Sequence, residues 1–176
     1  MQDKQIYLKL EDGEWPLEYI DHTRDIVRAI VIDGDGYYYF VRAERDDLFG
    51  VATLIETSGG GVEHGEEHET AIRRELREEL GADAEIICKI GVVEDYYNLI
   101  HRHNVNNYYL CRVRSFGKTD MTEDEIHSFH ISTLRLGYTE AVEEYERRAS
   151  TKLGRLIARR ELPVLMAAKD IIDSMG

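Results

Sequence analysis

Residues 60–82 read GGVEHGEEHETAIRRELREELGA, and this stretch decides the fold. Glu67 to Leu80 holds strong helix formers with neither Gly nor Pro, and Gly81 follows as a C-terminal cap. At about 100° per residue, Glu75, Glu78 and Glu79 share one helical face: with Glu75 at zero, Glu79 lies about 40° to one side and Glu78 about 60° to the other. Ile72, Leu76 and Leu80 form an apolar stripe centred about 100° away, facing the core. Arg74 flanks the carboxylates on the side opposite that stripe, one turn before Glu78.

Like charges on one helical face repel, and burial makes the repulsion worse. A cluster kept beside a core stripe therefore reads as one that a cation neutralises. Hard oxygen ligands without His or Cys favour magnesium or manganese over zinc. The glycines allow close backbone approach, so the Gly60 carbonyl is a further candidate ligand. Periodicity alone also allows a solvated acidic face balanced by Arg74 and Arg77, and that reading stays open at this point.

Working outward, Ile26–Ile32 (IVRAIVI) is nearly continuously apolar and branched, the pattern of a strand buried on both faces. Asp33-Gly34-Asp35-Gly36 is a turn signal, and Tyr37–Ala43 reads as the returning strand of a hairpin. Val51–Glu56, Ala84–Val93 and Asn107–Val113 read as further strands. The stretch YYNLIHRHNVNN (96–107) reads as a polar turn that leaves His101 and His103 in solvent rather than on a metal. Residues 116–127 read as a loop. Glu140–Arg160 and Val164–Met175 read as helices, with Pro163 near the start of the second. Residues 1–24 are set apart as an N-terminal extension with room for a short strand, and 25–176 as one domain. The class is α/β with a mixed sheet.

The chain has 176 residues, is 43% apolar and carries a net charge of −13. That length suits one domain with its own core. The acidic balance excludes general nucleic-acid binding by a broad basic surface. An acidic chain acts on phosphates where a metal ion supplies the positive charge. No apolar run approaches the roughly 18 residues of a membrane span, and MQDKQIYLKLEDGEW lacks an apolar signal core. Cys88 and Cys111 sit in apolar runs and read as reduced core thiols, so a cytoplasmic location without membrane attachment is expected.

The spacing of Gly60, Glu66, Arg74-Glu75-Leu76, Glu78-Glu79 and Gly81-Ala82 resembles the Nudix box. Ala82 is smaller than the usual Ile, Leu or Val. Ser58 stands where many members have a proline, a change expected to loosen the loop entry without touching the chemistry. The resemblance implies an α/β/α sandwich with a mixed β-sheet. It implies Mg2+-dependent (or Mn2+-dependent) hydrolysis of a nucleoside diphosphate linked to another group X: a nucleotide, nucleotide sugar or dinucleoside polyphosphate. Carried over by position, Glu75, Glu78, Glu79 and the Gly60 carbonyl are metal ligands, and Arg74 orients the carboxylates. Glu66 supports the loop–helix junction or an outer metal, and Gly81 is structural.

The general base is a box glutamate, taken as Glu79, or comes from the distal acidic run 122–125, where Glu125 is the candidate. Glu94 and Asp95 are further candidates for a metal or base role. Arg42 is the candidate for meeting a phosphate, and Tyr97, or Tyr96, for stacking on a base. The basic run of Arg147, Arg148, Lys152, Arg155, Arg159 and Arg160 reads as a solvated helix face or as a phosphate or subunit contact, and a homodimer is left open. Two other readings share the fold: a nucleotide-binding sensor without turnover, against which the intact box argues, and an isoprenoid diphosphate isomerase, which needs an additional catalytic Cys and Glu.

Overall fold

The spine of the molecule is β2 (His22–Ile32), whose residues from Ile26 onward are all buried. Branched side chains tolerate burial on both faces of a strand, and here each face of the sheet is covered by helix. The computed structural model describes residues 4–117 and 131–176. Around β2 the described strands are β1 (Ile6–Lys9), β3 (Tyr38–Asp47), β4 (Gly50–Glu56), β5 (Ser58–Gly61), β6 (Ala82–Tyr97), β7 (Arg102–Phe116) and β8 (Ser132–Leu136). They form one mixed sheet in the order β1-β6-β7-β2-β3-β4, with β5 added to β2 and β8 to β3.

The register explains where a site can form. β2 and β3 pair only at Val31–Tyr39 and Ile32–Tyr38, next to the turn at residues 33–36. β3 then leaves with β4, and β5 returns to take the vacated edge of β2, Ile26 opposite Gly61 and Ala29 opposite Ser58. The fork places the glycines beside the face that carries α1 (His68–Leu80).

α1 packs Ala71, Ile72, Leu76 and Leu80 against Val27, Ala29, Val31, Val41 and Cys111. Gly81 ends it with φ 64° and ψ 24°, a left-handed conformation in which its N–H returns to the Arg77 carbonyl. On the opposite face α2 (Tyr138–Arg148) and α3 (Lys152–Met175) cover a larger cluster that includes Ile30, Phe40, Leu110, Tyr145, Ile157 and Leu165. The result is the expected α/β/α sandwich with a mixed sheet. Among the described residues no helix is long and apolar enough to cross a membrane, and Cys111 is buried.

Three expectations are corrected. The stretch 96–107 is not a turn: β6 and β7 form one long hairpin whose tip is the short 3-10 segment Asn98–Ile100 and His101. Its asparagines point inward, where Asn104 and Asn106 bind the Asp95 carboxylate, at 3.1 and 2.8 Å. The last two helices divide at residues 149–151 instead of at Pro163, which lies inside α3; Thr151 caps the new start by accepting the Gly154 N–H at 3.1 Å. The run 147–160 is not a uniformly solvated face, because Arg160 is fully buried.

Burial of a large apolar side chain stabilises by about 1.5–3 kcal/mol, and truncation adds a cavity cost. Leu76 is 2% exposed at the centre of the α1 contact, whereas Leu48 is 69% exposed. Leu76→Ala is expected to lower unfolding free energy by about 2–5 kcal/mol and Leu48→Ala by less than about 0.5 kcal/mol, read from urea denaturation curves.

Candidate functional site

Between β5 and the C-terminal half of α1 lies a polar groove of about 580 Å3, lined by Arg24, Gly60, Gly61, Glu75, Glu78 and Glu79 among others. The helical spacing read from sequence puts all three carboxylates on the wall of that groove. The bare Gly60 lets the Glu75 carboxylate sit against the backbone: a Cβ there would lie 2.7 Å from its carboxyl carbon.

Arg74 ties the wall together. Its Nε and Nη2 form a two-point contact with Glu66, at 2.9 and 2.8 Å. Nη1 donates to Glu75 at 2.8 Å and reaches Glu78 at 3.5 Å, while Nη2 also donates to the Gly61 carbonyl at 3.1 Å. A planar guanidinium with five fixed donors can hold three carboxylates and a backbone carbonyl at once, which a lysine cannot. The same contact, with the Glu63 N–H, holds the Glu66 carboxyl down at about 2.

Glu79 turns the other way. Its Oε1 accepts the Gly59 N–H at 2.8 Å and the Ser58 hydroxyl at 3.1 Å. Ser58 thus touches the candidate chemistry, contrary to the expectation that it would only loosen the loop entry. Strand alternation turns Thr57 to the opposite face. There the buried Glu161 carboxylate of α3 accepts from the Thr57 N–H at 2.7 Å, from the Thr57 hydroxyl at 2.8 Å and from the Tyr108 hydroxyl. Its neighbour Arg160 binds Tyr97, Tyr108, Asp95 and Glu56 at 2.7–3.2 Å. Arg28 joins the layer through Glu56 at 3.0 Å and Asn106 at 3.1 Å. Among the described residues no buried side-chain polar atom lacks a partner.

The groove carboxylates are less well served. Burial pushes the Glu79 carboxyl up to about 8, against the pull of the Gly59 N–H, and the charges of Glu75 and Glu56 push in the same direction. Burial also raises Glu75, opposed by Arg74. A family model for the NUDIX domain matches residues 22–151. The chain belongs to the Nudix family. A nucleoside triphosphatase NudI from Salmonella agona (strain SL483) is 48% identical over 52 residues, which is 29% of this chain and 36% of that protein, so the match spans about a third of that relative. Among solved structures, a NUDIX hydrolase from Nitrosomonas europaea superposes with a TM-score of 0.60 at 18% identity, covering 80% of this chain and 88% of the other. A structure described as an ADP compounds hydrolase gives 0.57 at 17% identity, covering 87% and 75%. At these identities the structural likeness is one of fold.

Within the Nudix box the structure brings Gly60, Glu66, Arg74, Glu75, Glu78 and Glu79 together, with Gly81 at the helix end. Among the described residues no three His, Cys, Asp or Glu side chains are gathered tightly enough to be a ready-made metal cluster. Glu79 is drawn toward Ser58 and Gly59, and Glu75 toward Arg74. The donor chemistry nevertheless fits a hard divalent cation: all oxygen, partly desolvated, with two carboxyls that resist ionising without one.

Other candidates are not brought to the groove. Tyr97 cannot offer a stacking face, because its ring is 7% exposed, packs edge-on to Phe49 and lies beneath the Arg102 guanidinium. Arg42 pairs with Glu44 at 2.8 Å and is not among the groove residues. Glu94 binds His103 at 2.9 Å, and that ring stacks on Tyr96, so His103 is not a solvated turn residue. Asp95 belongs to the Arg160 layer. Glu125 and the run 122–125 lie outside the described residues. Sequence reading missed Thr57, Ser58 and Glu161 as a connected set; the only signal was Glu161 beside Arg160, just before the apolar run 162–168.

Replacing Arg74 by Ala should raise the Glu66 pKa from about 2 toward the ordinary carboxylate range, as followed by carboxyl-carbon NMR titration. A folded-state pKa below the unfolded value gives stability that is fully present above the ordinary Glu pKa and is lost as pH falls toward about 2. The parent, but not Arg74→Ala, should therefore show this component of acid destabilisation.

Proposed function

We propose that this chain is a cytoplasmic hydrolase that uses Mg2+, or Mn2+ in its place, to split the diphosphate linkage of a nucleoside diphosphate joined to another group X. The observation that carries the reading is the Glu79 carboxyl, desolvated beside Glu75 in a groove walled by glycine backbone. Such a group is a poor surface ornament and a good hard-cation ligand once deprotonated. The name of the NudI relative, a nucleoside triphosphatase, and that of the ADP compounds hydrolase support a nucleotide substrate.

Glu75, Glu78 and Glu79, with the Gly60 carbonyl, would hold the cation. When bound, it supplies charge neutralisation for the phosphate oxygens and acidifies a bound water. The protein's own part is positional. Arg74 holds Glu75 against the groove, Glu66 fixes Arg74, and Ser58 with Gly59 aims Glu79. The glycine edge lets a diphosphate approach the backbone without side-chain obstruction. Glu79 and Glu125 are the two candidates for the general base.

Two measurements test this. Turnover of a panel of nucleoside triphosphates, dinucleoside polyphosphates and nucleotide sugars should vanish in chelator and return with magnesium or manganese. Glu79→Gln should lower kcat by about 10^2-fold or more at saturating metal, and Glu125→Gln should do so only if that loop supplies the base. Wild-type turnover in verified metal-free protein would overturn the proposal, and binding of nucleotides without any turnover would turn it toward a sensor.

The raised Glu79 carboxyl gives a separate sign. Cation uptake requires its deprotonation, so binding between pH 6 and about 8 should release a proton, and apparent affinity should rise with pH through this range. Calorimetry in buffers of different ionisation enthalpy reads the proton directly.

A further inference from the structure

A cavity of about 690 Å3 lies apart from the groove, where residues 11–20 pass the tip of the β6–β7 hairpin. The two share no lining residue. Thr23 lines the cavity and Arg24 the groove; as consecutive residues of β2 they leave the strand on opposite faces. More than half of the lining comes from Glu11, Asp12, Trp15, Pro16, Leu17 and Ile20, all of which precede residue 22, where the Nudix match begins. The N-terminal extension thus builds this cavity against the end of the Nudix domain.

The extension is fastened on both sides, so the cavity is preformed. The Asp12 carboxylate accepts the N–H groups of Glu14 and Trp15 at 2.8 and 3.0 Å, and that of Asn98 at 2.9 Å. The Asn98 amide donates to the Trp15 carbonyl at 2.9 Å. The Trp15 ring packs edge-on to Phe49, with ring centres 5.5 Å apart, and Glu14 pairs with Arg155 of α3. On the hairpin side both ring nitrogens of His103 are engaged, by the Thr23 hydroxyl at 3.1 Å and by Glu94 at 2.9 Å. The same ring stacks on Tyr96, with centres 4.8 Å apart.

Asp12, Asn98, Thr23 and His103 therefore bond within the protein and ask little of a ligand. What they leave to one is mainly carbon: the Trp15 and Tyr96 rings with Pro16, Leu17 and Ile20, Leu17 being 67% exposed. Among the described residues no Lys or Arg lines the cavity, and Glu11 stands exposed at its edge. A phosphate or carboxylate entering here would shed water without meeting a lining cation. The volume lies within the roughly 300–1,000 Å3 of small-molecule sites, and ring-lined walls of this kind suit a planar guest. We infer that this cavity is a binding site for a small molecule carrying a flat, uncharged aromatic ring. The site goes beyond the hydrolase reading and does not rest on it, since its ligand carries no phosphate and touches no residue of the Nudix box.

Trp15 is the single tryptophan of the chain, so its indole N–H gives one signal of its own in a nitrogen-correlated NMR spectrum of the full chain. The probes are indole, indole-3-acetate, which is the same ring with a carboxylate, and inorganic phosphate. Indole is expected to move the Trp15 signal saturably, with a Kd of about 1 mM, an ordinary value for a ligand of this size. Indole-3-acetate should bind about tenfold more weakly or worse, and phosphate should leave the signal in place. Leu17→Asp puts a charge on the apolar wall and should weaken indole by about tenfold or more. Leu48→Asp, at a position 69% exposed outside the cavity, should leave its affinity unchanged. Melting curves check that each variant is folded; if Leu17→Asp is not, Leu17→Ser carries the comparison. Absence of a saturable shift, equal binding of indole and indole-3-acetate, or parental affinity in the Leu17 variant overturns the site. A Trp15 signal that moves with protein concentration alone assigns this wall to a second copy of the chain and overturns it likewise.

Discussion

A single pair of consecutive residues carries the construction of this molecule. Thr57 and Ser58 join β4 to β5, and their side chains leave the strand on opposite faces. Glu161 of α3 grips the first from one side and Glu79 of α1 is gripped by the second on the other. The sheet edge that presents the glycines is thereby held between two carboxylates from two helices. Each anchor uses a backbone N–H as well as a hydroxyl, so the peptide plane itself is fixed. A loop of glycines has high conformational entropy, and an edge so permissive keeps its shape only if its entry is pinned this firmly.

The charges of the chain fall into two layers with different accounts. Behind the sheet, Arg28, Arg160, Glu161 and Asp95 are shut away from water but paired, with the half-buried Glu56 bridging the two arginines. Such a layer adds little net stability over an apolar one, yet removing one member strands the rest. In front, Glu75 and Glu79 are partly shut away and incompletely paired, and burial pushes both upward. Arg74 balances part of the front layer and no more. The rigid, satisfied layer behind is what lets the unsatisfied one in front persist without collapsing.

Much of this was legible in the residues and some was not. The face of Glu75, Glu78 and Glu79 and the stripe of Ile72, Leu76 and Leu80 follow from helical period alone, and the branched run at Ile26–Ile32 could only be a buried strand. The 96–107 stretch misled because a run of Asn and His has the composition of a turn. The asparagines are interior instead, each amide bound to an acid or a carbonyl, and no local pattern announces polar residues that are satisfied across strands. Pro163 misled in the same way. A proline usually marks a boundary, but the boundary was set by the Thr151 cap, and packing carried the helix through the proline. The groove-facing Arg24 and the Glu161 anchor were hidden because their meaning depends on register and on contacts between distant segments.

The span between Thr57 and its anchor also has a temporal meaning. The two are separated by 104 positions, with the whole Nudix box and the long hairpin lying between them. A nascent chain that has emitted every box residue still lacks the group that fastens the glycine edge, because that group resides in α3, 104 positions after Thr57. Until α3 docks, the box is a helix beside an untethered strand. The groove is therefore completed by closure of a long loop, and its assembly waits on the docking of α3 rather than on the appearance of its signature residues.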